Sequence, residues 1–84
     1  MNYDVQLKPR AIKDLRHITG EEASRIADAL QMLADGLRGD VKRLAQFVPE
    51  YRLRVGDYRV LFEIEDRRRI VVYRIRHRRE AYRT

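Results

Sequence analysis

Three arginines, Arg52, Arg54 and Arg59, stand around a Gly56-Asp57 pair in the run Tyr51-Arg52-Leu53-Arg54-Val55-Gly56-Asp57-Tyr58-Arg59-Val60. Apolar and charged residues alternate on both sides of Gly-Asp, which reads as a hairpin closed by a two-residue turn with glycine at positive φ. A turn of that length pairs Val55 with Tyr58 and Arg54 with Arg59. Arg52, two residues from Arg54, points to the same face. Like charges opposite each other destabilise a sheet, so folding gains nothing from this arrangement, whereas an anion bound among the guanidiniums would give it a purpose. The alternative is that the arginines snorkel to solvent or pair with Glu63. Leu53, Val55, Tyr58, Val60 and Phe62 fall on the opposite face, which is apolar enough to be covered by helices.

A second candidate group is His77-Arg78-Arg79-Glu80-Ala81-Tyr82-Arg83. Histidine exchanges a proton near neutral pH. Tyr82 could stack on a base or handle a proton, and Glu80 lies three residues after His77, as on one helical turn. One His and one Glu are too few for a metal site, and a lone histidine is commonly an ordinary surface residue. RNA cleavage suits such a set. The 2′-hydroxyl is a built-in nucleophile, and the step needs a proton acceptor, cations around the pentacoordinate phosphate and an acid for the 5′ oxygen. Fixed arginines can supply the cations, so the chemistry requires no metal.

Charge distribution agrees. Residues 1–50 balance eight basic against eight acidic side chains, while residues 51–84 carry eleven arginines against five acids, so the net +6 resides there. Arginine's planar fork grips phosphate and stacks on bases, which points to a polyanion, most simply nucleic acid; a solubilising surface is the plain alternative. Eighty-four residues predict a single domain over 1–84. The chain has no cysteine, which excludes disulfides and fits a cytoplasmic protein. Residues 1–20 do not read as a leader, and the longest apolar run, Ile70-Val71-Val72-Tyr73, is too short to span a bilayer.

These groups need a scaffold. Tyr3 to Leu7 alternates like a short strand, Pro9 suits a first helical turn, and Ala11, Ile12, Leu15 and Ile18 recur at helical spacing. Thr19 and Glu22 have capping-box spacing. Ala23, Ile26, Ala27, Leu30, Leu33, Ala34 and Leu37 form an apolar stripe, with Gly36 and Gly39 as places to stop. A DNA-reading helix-turn-helix is disfavoured, because Glu22, Asp28, Gln31 and Asp35 dominate the exposed side. Residues 40–50 read as a connector with an extended piece at Lys42-Arg43-Leu44. Strands follow at 51–55, 58–64 and 70–75, and the tail from Arg76 is too polar for the core.

The run Tyr51 to Ile64, with Val71-Val72-Tyr73-Arg74-Ile75 and His77 to Arg83, resembles the RelE branch of the RelE/ParE toxin superfamily. The likeness extends upstream through Lys8-Pro9-Arg10-Ala11. It implies an α+β fold with two N-terminal helices packed on one face of a small, mainly antiparallel sheet in β-α-α-β-β-β order. It further implies a toxin of a type II toxin-antitoxin system that cleaves messenger RNA on the ribosome, without metal or cofactor, and is neutralised in a complex with a cognate antitoxin. The family's basic pair matches Arg52 and Arg54, its phosphate-gripping arginine Arg59, its later arginine Arg78 and its C-terminal tyrosine Tyr82. The expected catalytic set is Arg54, Arg59, His77, Arg78 and Tyr82; the expected RNA contacts are Arg52, Arg54, Arg74, Arg76, Arg79 and Arg83. Some members carry lysine at the positions of Arg52 and Arg54, and glycine at that of Arg76. Arginine keeps its proton, so proton transfer falls to His77, Tyr82 or Glu80, with His77 and Tyr82 preferred. ParE-like toxins, which inhibit DNA gyrase, are the rival reading, and a non-catalytic nucleic-acid-binding module is the third. An acidic, partly disordered antitoxin would complement the crowded cationic face.

Overall fold

The computed structural model describes residues 2–81, and Tyr82 and Arg83 lie outside them. Strand β1 (Asp4–Leu7) leads into helix α1 (Pro9–Arg16) and helix α2 (Gly20–Ala34); strands β2 (Asp40–Arg43), β3 (Tyr51–Val55), β4 (Tyr58–Ile64) and β5 (Arg69–His77) follow. The five strands form one sheet in the order β1-β5-β4-β3-β2, with β1 parallel to β5 and every other pair antiparallel. The fold is thus the expected α+β class, with one strand more than the sequence suggested. The extended piece placed at 42–44 is β2, shifted to 40–43 and paired along the edge of β3.

The hairpin matches the sequence reading: Val55 pairs with Tyr58 and Arg54 with Arg59. Gly56 sits at φ +58°, as the first central residue of a type II′ turn requires. Leu53, Val60 and Phe62 are almost wholly buried and join Ala11, Ile26 and Leu33 from the helices and Ile18 from the link between them. One sheet face is therefore sealed by helices, with Tyr51 stacked on Phe62 at 5.5 Å.

Strand β5 carries an irregularity that alternation alone would misread. Ile70, Val72 and Ile75 are all in the core, although Val72 and Ile75 are three positions apart and strict alternation would put them on opposite faces. The pairing slips between Leu61, opposite Arg74, and Phe62, opposite Val72, leaving Tyr73 as the extra residue. That bulge keeps both aliphatic pairs facing the helices.

Three local expectations need correction. Thr19 is the N-cap of α2 but makes no side-chain cap bond; Glu22 instead lines a cleft with Tyr58 of the hairpin, so the capping box is not formed. Ala27 of the expected apolar stripe is exposed, and α2 ends at Ala34, just before Gly36 at φ +95°. The tail from Arg76 is not wholly outside the core, because β5 continues to His77 and Ala81 is only 2% exposed.

Asp14 holds α1 to the sheet. β1 pairs with β5 as far as Leu7 opposite Val72, and the Lys8 N–H donates to Val72 O at 2.8 Å. Beyond that point the Ile75 N–H donates to Asp14 Oδ2 at 2.9 Å, so a carboxylate takes the place of a strand neighbour. Arg74 completes the junction, donating from Nε at 2.8 Å and Nη2 at 3.0 Å. Burial alone would push the Asp14 carboxyl up. The hydrogen bonds from Arg74 and Ile75, with the charges of Arg74 and Arg76, outweigh it and hold the group below its ordinary 3.8.

A carboxyl lowered by folding stabilises the fold above its unfolded-state pKa and loses that effect as pH falls through the folded value. Asp14→Ala is expected to cost about 2 kcal/mol, a fall in Tm of roughly 10 °C for a domain this small. In thermal melts across pH, the Tm gap between wild type and Asp14→Asn should be full near neutrality and narrow below pH 3.8. A gap that stays constant into strong acid would remove the carboxylate from this account.

Candidate nucleic-acid interface

On the face of the sheet away from the helices, two adjoining rows of side chains carry arginines of β3, β4 and β5. Arg54 of β3, Arg59 of β4 and Arg76 of β5 stand opposite one another across three strands. Beside them run Lys42 of β2, Arg52 of β3, Leu61 of β4 and Arg74 of β5. Together with Leu44 and Arg78, part of these rows lines an open cleft of about 280 Å³ whose charged lining is entirely cationic: Lys42, Arg52, Arg54, Arg59 and Arg78.

Carboxylates at the rim hold most of these arginines. Asp40 bridges two of them, with Arg52 Nη1 at 3.3 Å from Oδ1 and Arg54 Nε at 3.2 Å from Oδ2. Arg52 Nη1 also donates to the Asp40 carbonyl at 2.9 Å. Arg76 lies 3.7 Å from Glu80, and Arg78 lies 3.9 Å from Asp57. Glu63 does not serve the hairpin arginines; its carboxylate accepts the Glu50 N–H at 3.0 Å. Arg59 differs from the others. Its Nη1 donates to the carbonyls of Gly56 at 2.9 Å and Tyr58 at 3.0 Å, and among the described residues it forms no ion pair. It is therefore oriented by backbone dipoles while its charge stays uncompensated, a suitable state for receiving an oxyanion.

His77 is placed elsewhere. It stands opposite Tyr58 in the register and meets that ring edge-on at 5.6 Å. Tyr58 packs against the core, so His77 lies on the helix side of the sheet, behind the row that holds Arg59. The parity of β5 dictates this: Arg74 and Arg76 face the cleft, and the residue next to Arg76 faces away. His77 and Glu80 share a turn rather than a helix, the Glu80 N–H donating to His77 O at 2.8 Å, but the Glu80 carboxylate reaches Arg76. Arg79 is exposed, and its N–H donates to His77 Nδ1 at 3.3 Å. The structure thus brings Arg52, Arg54, Arg59, Arg74, Arg76 and Arg78 to one face and sets His77 behind it, while Tyr82 and Arg83 fall outside the described residues. Sequence reasoning passed over Asp40 and Asp14. A lone acid beside the apolar positions Ile12 and Leu15 of α1 was a visible hint of Asp14, whereas Asp40 became legible only once β2 was paired.

Comparisons with known proteins agree with this architecture. Residues 5–82 match the family described as the ParE toxin of type II toxin-antitoxin system, parDE. A protein of Methanocaldococcus jannaschii named Toxin RelE3 is 30% identical over 76 residues, covering 84% of this chain and 85% of that protein. A RelB-RelE antitoxin-toxin complex from Methanococcus jannaschii contains a chain that superposes with a TM-score of 0.75 at 27% identity, over 92% of this chain and 94% of that one. The toxin-antitoxin complex RelBE2 from Mycobacterium tuberculosis gives a TM-score of 0.64 at 28% identity, over 92% and 99% of the respective chains.

The Asp40 side chain is 52% exposed, so its ion pairs add little stability but compete with any bound anion. Asp40→Ala should therefore leave Tm nearly unchanged while tightening binding of a polyanion such as heparin several-fold, measured by titration at fixed ionic strength. Unchanged or weaker binding would show that Asp40 does not restrain Arg52 and Arg54.

Proposed function

This chain belongs to the ParE toxin family of type II toxin-antitoxin systems, and from that premise we propose that it acts as an endoribonuclease on messenger RNA engaged by the ribosome. The observation that carries this reading is the Arg54-Arg59-Arg76 row with Arg59 free of any carboxylate among the described residues. A phosphodiester seated in the cleft would take its strongest contact from Arg59, with Arg54 and Arg78 neutralising charge as the phosphorus becomes pentacoordinate. The 2′-hydroxyl attacks, the bond from phosphorus to the 5′ oxygen breaks, and a cyclic phosphate and a free 5′-hydroxyl result. Arginine cannot take the 2′ proton. With His77 behind the sheet, proton transfer in this reading belongs to the tail beyond it, to Tyr82 carried over from the resemblance and to Glu80 beside Arg76. Arg52, Arg74, Arg76, Arg79 and Arg83 hold the flanking RNA.

The partner in this reading is a cognate antitoxin, supported by neighbours that are themselves toxins in complex with antitoxins and by a cationic face suited to an acidic chain. Inhibition of DNA gyrase is the second reading. It draws on the family's ParE description and on arginine standing at positions 52 and 54.

Primer extension on cellular messages after brief induction separates the two. Cleavage within translated codons is expected for wild type and should fall at least about 100-fold in Arg59→Ala; His77→Ala should retain cleavage to within a few-fold. Intact messages in a growth-arrested culture would favour the gyrase reading, and intact messages with normal growth would leave binding alone.

A further inference from the structure

Next to the cationic cleft, on the same sheet face, lies a second open cleft of about 450 Å³ with a different lining. Arg10, Arg74 and Arg76 supply its polar edge; the 47–49 segment of the β2–β3 loop supplies an apolar wall, and Leu61 and Ala81, only 3% and 2% exposed, lie in its floor. Val48 in that wall is 84% exposed, by far the most exposed large aliphatic residue of those described. An aliphatic residue this exposed beside three arginines suits a flat ligand that is apolar on its faces and attached to an anion.

Arg74 narrows the choice. Its Nε and Nη2 are engaged by the two oxygens of Asp14, so its charge is compensated and one edge of its fork is occupied. It is a poor phosphate clamp beside Arg59, but the same bonds hold the guanidinium plane rigid. A fixed guanidinium plane is a stacking surface for a base. The geometry points to this cleft as a nucleobase subsite: Arg74 and the 47–49 segment receive the base of a nucleotide adjoining the phosphate held by Arg59, over a floor closed by Leu61. Arg52, Leu61 and Arg74 stand in one row across three strands, at roughly 5 Å per strand, so one single-stranded RNA spans both clefts. The inference rests on the proposal that RNA is the substrate, and it adds that a base near the cut is gripped by the toxin itself through stacking.

The test uses a non-cleavable 2′-O-methyl single-stranded oligonucleotide, intact or with one abasic position moved stepwise along it, titrated by fluorescence anisotropy. For wild type, one abasic position should weaken binding about tenfold. Arg74→Lys, which keeps the charge and can still pair with Asp14, should bind the intact strand no better than wild type binds that abasic strand. Val48→Ser, at a site too exposed to threaten the fold, should move the same way by a smaller factor. The salt dependence should separate the clefts: Arg59→Ala lowers the slope of log K against log salt by about 0.7, whereas Arg74→Lys leaves it unchanged. If wild type binds with an Arg59-dependent slope and no abasic position matters, the base subsite is overturned and the apolar wall serves another ligand, such as a protein segment. If wild type fails to bind RNA at all, the proposed function falls and takes the subsite with it.

Discussion

Guanidiniums placed side by side on neighbouring strands repel one another, and the architecture of this protein is organised around holding Arg54, Arg59 and Arg76 in that position. Cross-strand repulsion costs a sheet some stability. It is tolerated because the other face of the same strands is closed by Leu53, Val60, Phe62, Ile75 and the helices. Reversing the parity of either hairpin strand would bury the arginines and expose the core, so hydrophobic burial fixes the register. The cationic row is thereby displayed as a consequence of core formation, with no requirement that it be favourable in itself.

Rim carboxylates modulate that display unevenly. Asp14 is part of the scaffold: it is partly buried, bidentate to Arg74, and bonded to the backbone of β5. Asp40, Asp57 and Glu80 are more than half exposed and make longer contacts, so an incoming phosphate can replace them at small cost. Among the described residues Arg59 has only carbonyl partners, so no carboxylate there needs to be exchanged. The face therefore grades from a rigid, neutralised arginine at one end to an open one in the middle. That gradation, rather than the total charge, separates an arginine open to an incoming anion from one held as a rigid plane.

Much of this was legible in the sequence, for a physical reason. Strict alternation around Gly56-Asp57 leaves one sensible pairing, and that pairing determines which arginines share a face. The apolar stripe of α2 likewise located Ile26 and Leu33. What alternation could not show was anything that breaks parity or depends on a distant partner. The Tyr73 bulge shifts β5 by one residue. The extension of β5 to His77 then assigns that histidine to the side opposite the one its neighbours in the tail suggested. Glu22 has the spacing of a capping residue but lies beside Tyr58, a neighbour visible only when the hairpin lies against α2. Asp40 and Asp14 act on arginines 12 and 60 positions away in the chain, distances at which spacing rules carry no information.

The pairing of β1 with β5 joins Asp4 to Arg69, across nearly the whole described chain. Closing so long a loop carries a large entropic cost that local helices and hairpins do not bear. The β3–β4 and β4–β5 hairpins can each form from neighbouring residues and so bring Arg54, Arg59 and Arg76 together locally, but the Asp14 anchor reaches Arg74 from 60 positions away. The cationic row is therefore local in the chain, whereas the contact that fixes Arg74 waits on the long-range closure of β1 and α1 against β5. What is assembled last is thus the stiffness of the face rather than its charge.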